Sequence, residues 1–173
     1  MSMSIALLIA RLIIGLGLAA HGAQKLFGSF GGPGPKGMEG FMASMNMRPP
    51  MLMGLAAGLG EFGGGLLIAL GFLGGIGPGL LVIVMLTAIL TVHWGKGFFV
   101  AGGGWELPGM YIAGALAIDF AGFGVYSIDK AMGWSILGSD SDRWIILGIA
   151  VVIAVINSSL RFLPRPASAS ATK

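Results

Sequence analysis

The sequence predicts an all-α protein that crosses a membrane several times, a polytopic bundle of transmembrane helices. Of its 173 residues, 55% are hydrophobic and only 10% are charged, whereas a soluble globular domain carries about 25% charged residues. The mean hydropathy is +0.91, and the apolar residues form long continuous runs. This apolar content excludes a disordered chain, and continuous runs exclude an outer-membrane β-barrel, whose strands alternate.

Five stretches are long and apolar enough to be read as membrane spans, for which about 20 residues are needed. They are residues 5–27, 51–72, 80–94, 107–123 and 144–163. The first is a retained helix and not a signal peptide, because it opens without basic residues and carries Arg11 inside. The last has an aromatic residue at one edge and Arg161 at the other, as expected for a span between two interfaces.

The connections between the spans differ in character. Residues 28–50 are rich in glycine and proline, which predicts a loop containing one short interfacial helix at about residues 38–45. The segment 124–143 is amphiphilic and is expected to lie outside the membrane, and the polar tail 164–173 is expected to be disordered.

The distribution of basic residues predicts the orientation. With five spans, one side of the membrane holds Lys130 and Arg143, and the other holds seven cations. These are Lys25, Lys36, Arg48, Lys96, Arg161, Arg165 and Lys173. The positive-inside rule places the second side, which includes the C-terminus, in the cytoplasm. The membrane is then expected to be the inner (plasma) membrane of the cell. Because the cations are scattered singly, the basic composition does not indicate a nucleic-acid partner.

Ionisable side chains inside the spans are the candidate functional residues, because each costs about 2.5–3.5 kcal/mol to insert and such residues usually face a bundle interior or a site. On the first helix, Arg11, His21 and Lys25 fall within about 80° of one another, with Gln24 about 60° further round. By depth, His21, His93 and Glu106 lie near one face, and Glu61 lies near the bilayer centre. The predicted ligand-binding set is Arg11, His21, Gln24, Lys25, Glu61, His93 and Glu106.

The same residues also have a purely structural interpretation. Arg11 is expected to pair with a carboxylate of another span, with Glu61 as the first candidate and Asp119 as the second, because a buried guanidinium needs a partner. A histidine near an interface often bonds only a backbone carbonyl. Taken as a set, the aligned polar residues favour a polar path for an amphipathic ligand.

Metal and thiol chemistry find little support. The absence of cysteine excludes disulfide exchange and cysteine-ligated iron–sulfur clusters. Equal depth of His21 and His93 would suit a bis-histidine haem, and either Glu61 or Glu106 would complete a non-haem iron set. Two histidines are too few to predict either, so no metal is assigned and haem is not expected. The glycine runs 63–65 and 102–104 lack the lysine of a phosphate-binding loop.

Several motifs resemble the DoxX family of small bacterial membrane proteins. They are Arg11 in the first span, HGAQKLFG at 21–28, GEFGGGLLIALG at 60–71, His93, GGGWE at 102–106 and GFGVYSIDK at 122–130. The resemblance covers about residues 5–130 and implies a four-span core. On this basis we divide the chain into a four-span membrane domain (1–130), an amphiphilic connector with an added fifth helix (131–163), and the polar tail (164–173).

The resemblance also suggests a function. The family is named after a subunit of an archaeal thiosulfate:quinone oxidoreductase, and relatives are linked to redox and oxidative-stress complexes. It implies at most an oxidoreductase subunit acting with redox partner subunits. From the interfacial placement of the polar residues, we expect His21, Gln24 and Lys25 to donate to a quinone carbonyl and Glu61 or His93 to pass protons. Quinone is then the expected ligand, and membrane lipid, partner subunits or a second copy of the chain are the expected partners. Two alternatives stay open: a non-catalytic binder or transporter of a lipophilic or anionic molecule, anchored by Arg11 and Lys25, and a scaffold subunit using its glycine-rich helix faces.

Overall fold

The computed structural model describes residues 2–164, which form seven α-helices and short 3-10 turns, with no strand in that range. The helices are α1 (Ser2–Phe27), α2 (Gly34–Ser44), α3 (Pro50–Leu70), α4 (Ile76–Ala88), α5 (Glu106–Ala121), α6 (Ile128–Ala131) and α7 (Asp140–Ser159). Helix α4 continues without a break into a π-helical turn, Ile89–His93, and a 3-10 turn, Trp94–Lys96. The five longer helices α1, α3, α4, α5 and α7 build an all-α bundle, as the sequence predicts.

Glycines bring α1 and α3 into direct backbone contact. A Cβ atom placed on Gly15 would lie 2.5 Å from both Ala69 N and Gly65 O, and one placed on Gly65 would lie 2.5 Å from Gly15 O. Further along, Gly22 of α1 faces Phe62 in the same way. The two helices are therefore antiparallel, because Gly15 contacts Ala69 whereas the later residue Gly22 contacts the earlier residue Phe62. Small residues are what allow two helix backbones to approach this closely.

The remaining long helices continue the alternation. Gly64 of α3 lies against Leu80 and Gly60 against Val84, so α4 runs antiparallel to α3. Tyr111 lies beside Gly17 and Gly114 beside Ile14, so α5 runs antiparallel to α1. Helix α7 runs parallel to α4. Its residue Ile146 contacts Gly75 and Gly79 near the start of α4, and Arg161 just beyond α7 donates to the Thr91 carbonyl at 3.2 Å.

The chain therefore crosses the bundle five times, with two distinct ends. The Ser2 end holds the start of α1, the turn between α3 and α4, and residues 122–139; the Phe27 end holds α2, residues 97–105 and the end of α7. Four helical segments are long and apolar enough to span a membrane: Ser2–Phe27, Pro50–Leu70, Ile76–Lys96 and Asp140–Phe162. Helix α5, predicted as a span, has 16 residues and is about 24 Å long, so it crosses the bundle but is too short to be counted among these four.

The core and the lipid-facing surface are both apolar. Buried side chains of α1, α3, α4 and α5 form the central cluster: Leu18, Ile68, Leu81, Met85, Ala115 and Ile118. On the outer faces, large apolar residues such as Ile13 of α1 and Ile156 of α7 are exposed by 67% and 55%. Water would not favour such a surface, whereas acyl chains match it.

Residues 122–139 cover the α3–α4 turn at the Ser2 end. The Asp129 carboxylate accepts hydrogen bonds from Leu73 N at 3.0 Å and Gly74 N at 2.8 Å. Both turn residues have positive φ, and Gly75 N donates to Leu137 O at 3.1 Å. The amphiphilic segment predicted outside the membrane is thus an ordered cap that contains α6. The short helix predicted at residues 38–45 is α2, which begins four residues earlier.

Candidate functional site

A partly buried ion pair joins Lys25, near the end of α1, to Glu61, midway along α3. The ammonium group of Lys25 donates to Glu61 Oε1, and the Glu61 side chain is only 2% exposed. One turn before Glu61, Gly58 lies against α1, where a Cβ atom would be 3.3 Å from Lys25 Cβ. The glycine allows the lysine backbone close enough for its side chain to meet the carboxylate inside the bundle.

The ion pair forms part of the wall of a cavity of about 150 Å³. Residues of α2, α3 and α4 line most of it, with Lys25 of α1 and Asn157 of α7, and it is open on one side. Most of the lining is apolar and rich in methionine: Met38, Met42, Met45, Met47 and Met53 are all present. The cavity thus has an apolar body with a charged pair at its wall.

Two oxygen atoms of the residues that line the cavity have no hydrogen-bond partner within residues 2–164. They are Glu61 Oε2 and Thr87 Oγ1, and both are buried. One turn further, Thr91 Oγ1 donates to the Thr87 carbonyl at 2.7 Å, so the hydroxyl of Thr91 is satisfied within its own helix. A buried polar atom without a partner costs about 1–3 kcal/mol. A ligand in the cavity that donates a hydrogen bond to either atom would remove that cost at the atom it reaches.

Of the seven predicted ligand residues, Lys25 and Glu61 are the two that line this cavity. The His21 ring packs edge-on against Tyr111, with ring centroids 6.0 Å apart. Gln24 Nε2 lies 3.5 Å from the carbonyl oxygen of Phe30, to which it donates. Neither side chain is among those that line the cavity.

His93 and Glu106 organise the loop between α4 and α5. His93 Nδ1 lies 2.6 Å from Gly103 O, and Glu106 Oε2 accepts a hydrogen bond from Val100 N at 2.8 Å. Both side chains therefore satisfy backbone groups of residues 97–106, as the structural interpretation of the interfacial histidine anticipated. Across residues 2–164, no group of three or more His, Cys, Asp or Glu side chains could hold a metal ion.

The predicted pairing of Arg11 with Glu61 or Asp119 is wrong. Arg11, which is 1% exposed, donates instead to three backbone carbonyls: Ala69 at 3.0 Å, Tyr126 at 3.2 Å, and Phe123. Ala69 lies in the last turn of α3, where helical carbonyls have no amide partner from their own helix. Phe123 and Tyr126 follow the end of α5. The guanidinium offers five N–H donors, which suits several carbonyls better than one carboxylate.

The two carboxylates predicted for Arg11 have other cations. Glu61 lies further towards the Phe27 end and pairs with Lys25. Asp119 lies 3.6 Å from Arg143 Nε at the start of α7, and Arg143 also donates to Asp140 at 2.8 Å. The added fifth helix therefore supplies the counter-ion for an acidic residue of the core.

The methionine lining of the cavity is the part of the site that the sequence interpretation missed. Six of the eleven methionines fall within residues 38–53, a concentration that was visible in the sequence. Thr87 carried no such signal, because a single threonine in an apolar helix is common and its missing hydrogen bond depends on the packing around it.

These features define an integral membrane protein: an all-α bundle with a lipid-facing apolar surface, buried ionisable residues and an internal cavity. The model of the DoxX family matches residues 6–94, from α1 to the first residue after the π-helical turn that follows α4. The chain belongs to the DoxX family. No curated protein and no solved structure matches it. The motifs at 102–106 and 122–130 lie beyond the matched residues, so the longer resemblance and the division of the chain into three parts stay predictions.

Proposed function

We propose that this protein is a membrane subunit that binds a small lipophilic molecule with a hydrogen-bonding head group, and that the molecule is a quinone or its quinol. The observation that carries the proposal is the Lys25–Glu61 pair, with its buried carboxylate, on the wall of an apolar cavity. Glu61 Oε2 and Thr87 Oγ1 lack partners among the described residues. An apolar body recognises a lipophilic molecule, and the polar atoms orient its head.

The size of the cavity supports a ring-shaped head group. At about 150 Å³, it equals the volume of an apolar cavity that is known to accept benzene. A single six-membered ring would fill it, and an isoprenoid tail would have to leave towards the lipid. Flexible methionine side chains suit such a site because they adjust to the shape of the ligand.

The polar groups suit both redox forms of the head group. Lys25 has N–H donors beyond the one directed at Glu61, and these can bond a quinone carbonyl. Glu61 Oε2 can accept a hydrogen bond from a quinol hydroxyl and can take its proton as a general base. Electrons would pass to a partner subunit, so the chain would act as one part of an oxidoreductase.

The alternatives draw less support from the same contacts. The glycines that favoured a scaffold role, such as Gly15, Gly22 and Gly65, are used inside the chain for the α1–α3 contact. Arg11, the anchor of an anion transporter, is occupied by three carbonyls. A non-catalytic carrier of the same lipophilic ligand would use the same cavity. A turnover assay distinguishes this carrier from a redox subunit.

The test is a titration of a short-chain quinone analogue into the purified full chain in mild detergent. Glu61→Gln and Thr87→Val should each weaken binding about tenfold, the change that corresponds to the loss of about 1.4 kcal/mol. Glu39→Gln on α2 is the matched control because its carboxylate does not line the cavity, and it should bind like the wild type. Equal binding by the wild type, Glu61→Gln and Thr87→Val would overturn the site.

A second measurement addresses the redox role. Organic extracts of the purified protein should contain quinone, and membranes holding the wild type should reduce or oxidise an added quinone faster than membranes holding Glu61→Gln. Bound quinone with no difference in turnover would favour the non-catalytic carrier.

A further inference from the structure

The cavity has a thioether side whose metal-binding capacity the proposed function does not use. Helix α2 contributes Met38 and Met42, which are four residues apart and so lie on one helix face. The turn after α2 contributes Met45 and Met47, and the first turn of α3 contributes Met53. Three consecutive elements thus direct five methionines to one place.

The burial of these side chains is selective for methionine. Met38, Met42 and Met47 are 4%, 8% and 2% exposed and form a cluster whose buried members are all methionine. The central core of the bundle uses leucine, isoleucine and alanine with a single methionine. A lining needed only for its apolar character could use those residues here as well, but thioether sulfur adds metal-binding capacity that they lack.

The backbone around the cluster is fixed by hydrogen bonds. Met47 N donates to Met42 O at 2.9 Å, which ties the turn to the end of α2. Asn46, with φ +59, donates from Nδ2 to Arg161 O at 2.6 Å, which ties the same turn to the chain just beyond α7. The cluster is therefore held between α2, α3 and the end of α7.

We propose that the cluster of Met38, Met42, Met45, Met47 and Met53 binds a soft monovalent metal cation, Cu(I). Thioether sulfur is a soft ligand that selects Cu(I) over harder cations. No cysteine is present in the chain, and no three-residue His, Cys, Asp or Glu group occurs within residues 2–164, so these described residues offer no harder ligand set for Zn²⁺. The Lys25–Glu61 pair lines the same cavity and is neutral as a pair, so the methionine sulfur atoms are the ligands on which the site depends.

The experiment uses Ag(I), a redox-inert analogue of Cu(I), added to the purified full chain in chloride-free detergent buffer. The wild type should bind one Ag(I) saturably, and Met42→Leu/Met47→Leu should bind at least tenfold more weakly. Leucine nearly conserves the volume of methionine, so the variant should keep its fold. Met3→Leu/Met132→Leu is the matched control, because these methionines are 69% and 50% exposed and lie outside the cluster.

Methyl spectra of methionine-labelled protein give a second readout that needs no substitution. On addition of Ag(I), the methyl signals of the cluster should shift, while those of Met3 and Met132 stay in place; added Zn²⁺ should shift none of them. Equal affinity of the wild type and Met42→Leu/Met47→Leu, absence of saturable binding, or uniform shifts of all methionines would overturn the proposal. The quinone site is tested by Glu61→Gln and Thr87→Val, so failure of one proposal is distinguishable from failure of the other.

Discussion

Arg11 shows how a buried charge can be held by backbone oxygens alone. Its guanidinium donates to Ala69, Phe123 and Tyr126, carbonyls that follow or close two different helices. Gly71 sits against it: a Cβ atom there would lie 2.9 Å from the guanidinium carbon. The arginine therefore joins α1 to the ends of α3 and α5, and the absence of a carboxylate partner is compensated by several oriented carbonyl dipoles.

Arg11→Leu should destabilise the protein. Each carbonyl that loses its donor while staying buried costs about 1–3 kcal/mol, and the loss should appear as a lower melting temperature in detergent. The melting temperature of Arg11→Lys should fall between those of the wild type and Arg11→Leu, because an ammonium has three donors where a guanidinium has five. Lys36→Leu on the exposed side of α2 controls for removal of a charge. Melting of Arg11→Leu at the wild-type temperature would contradict the structural role assigned to Arg11.

At the scale of the elements, the α1–α3 contact depends on glycines at particular positions. A Cβ atom on Gly65 would lie 2.5 Å from Gly15 O and 2.6 Å from Ala19 N, whereas one on Gly63 would meet nothing within 4 Å. Gly65→Ala should therefore lower the free energy of unfolding by about 1–3 kcal/mol through overpacking. Gly63→Ala, two residues away on the same helix, should cause no loss, because alanine favours helix and the space is open. Unfolding in increasing concentrations of a denaturing detergent measures the stability of both variants. Equal effects of the two substitutions would show that helix propensity alone, and not the α1–α3 contact, determines the change in stability.

The start of α7 depends on a capping box. Ser139 Oγ accepts a hydrogen bond from Asp142 N at 3.1 Å, and Asp142 Oδ2 accepts one from Ser139 N at 3.2 Å. Ser139→Ala should cost about 1 kcal/mol of helix stability, seen as faster amide exchange in the first turn of α7. The neighbouring Ser141 is exposed and lies outside this box, so Ser141→Ala should leave the exchange rates unchanged. If both variants exchange alike, the cap does not stabilise the helix.

At the scale of the whole molecule, the alternating directions of the five long helices sort the basic residues. Five of the seven cations predicted on one side lie at the Phe27 end: Lys25, Lys36, Arg48, Lys96 and Arg161. Arg165 and Lys173 lie outside the described residues. Lys130 and Arg143 lie at the Ser2 end, beside the residues that cap the α3–α4 turn. The bundle thus carries a charge asymmetry that can orient it in a membrane.

The asymmetry predicts that the Phe27 end and the C-terminus face the cytoplasm. A reporter that fluoresces only in the cytoplasm should be bright when fused after Lys173 and dark when fused after Asp140, at the start of α7. A reporter of opposite compartment specificity, active only outside the cytoplasm, is the control for expression at both positions. A dark fusion after Lys173 with a bright fusion after Asp140 would mean that the orientation is inverted.

The features that the sequence alone determined are those that depend on short stretches of neighbouring residues. Membrane character, the approximate helix bounds and the charge asymmetry depend on composition and on runs of about 20 residues, which the sequence carries directly. The sequence also singled out Lys25 and Glu61, which line the candidate site, because burying an ionisable side chain in a span is costly wherever it lies. The shift in helix starts, such as Ser2 rather than residue 5 for α1, is small because polar end residues can still be helical.

The partner of each buried charge was decided only by the tertiary structure. The sequence places Arg11, Glu61 and Asp119 at depths in the membrane, but depth does not say which helix faces which. Close α1–α3 packing through Gly58 brings Lys25 to Glu61, and α7 brings Arg143 to Asp119. The end of α3 and the residues after α5 supply the carbonyl groups to which Arg11 donates. The cavity arises in the same way, from α2 folding its methionine face over α3 and α4, because a void depends on how side chains from separate elements meet rather than on any one of them.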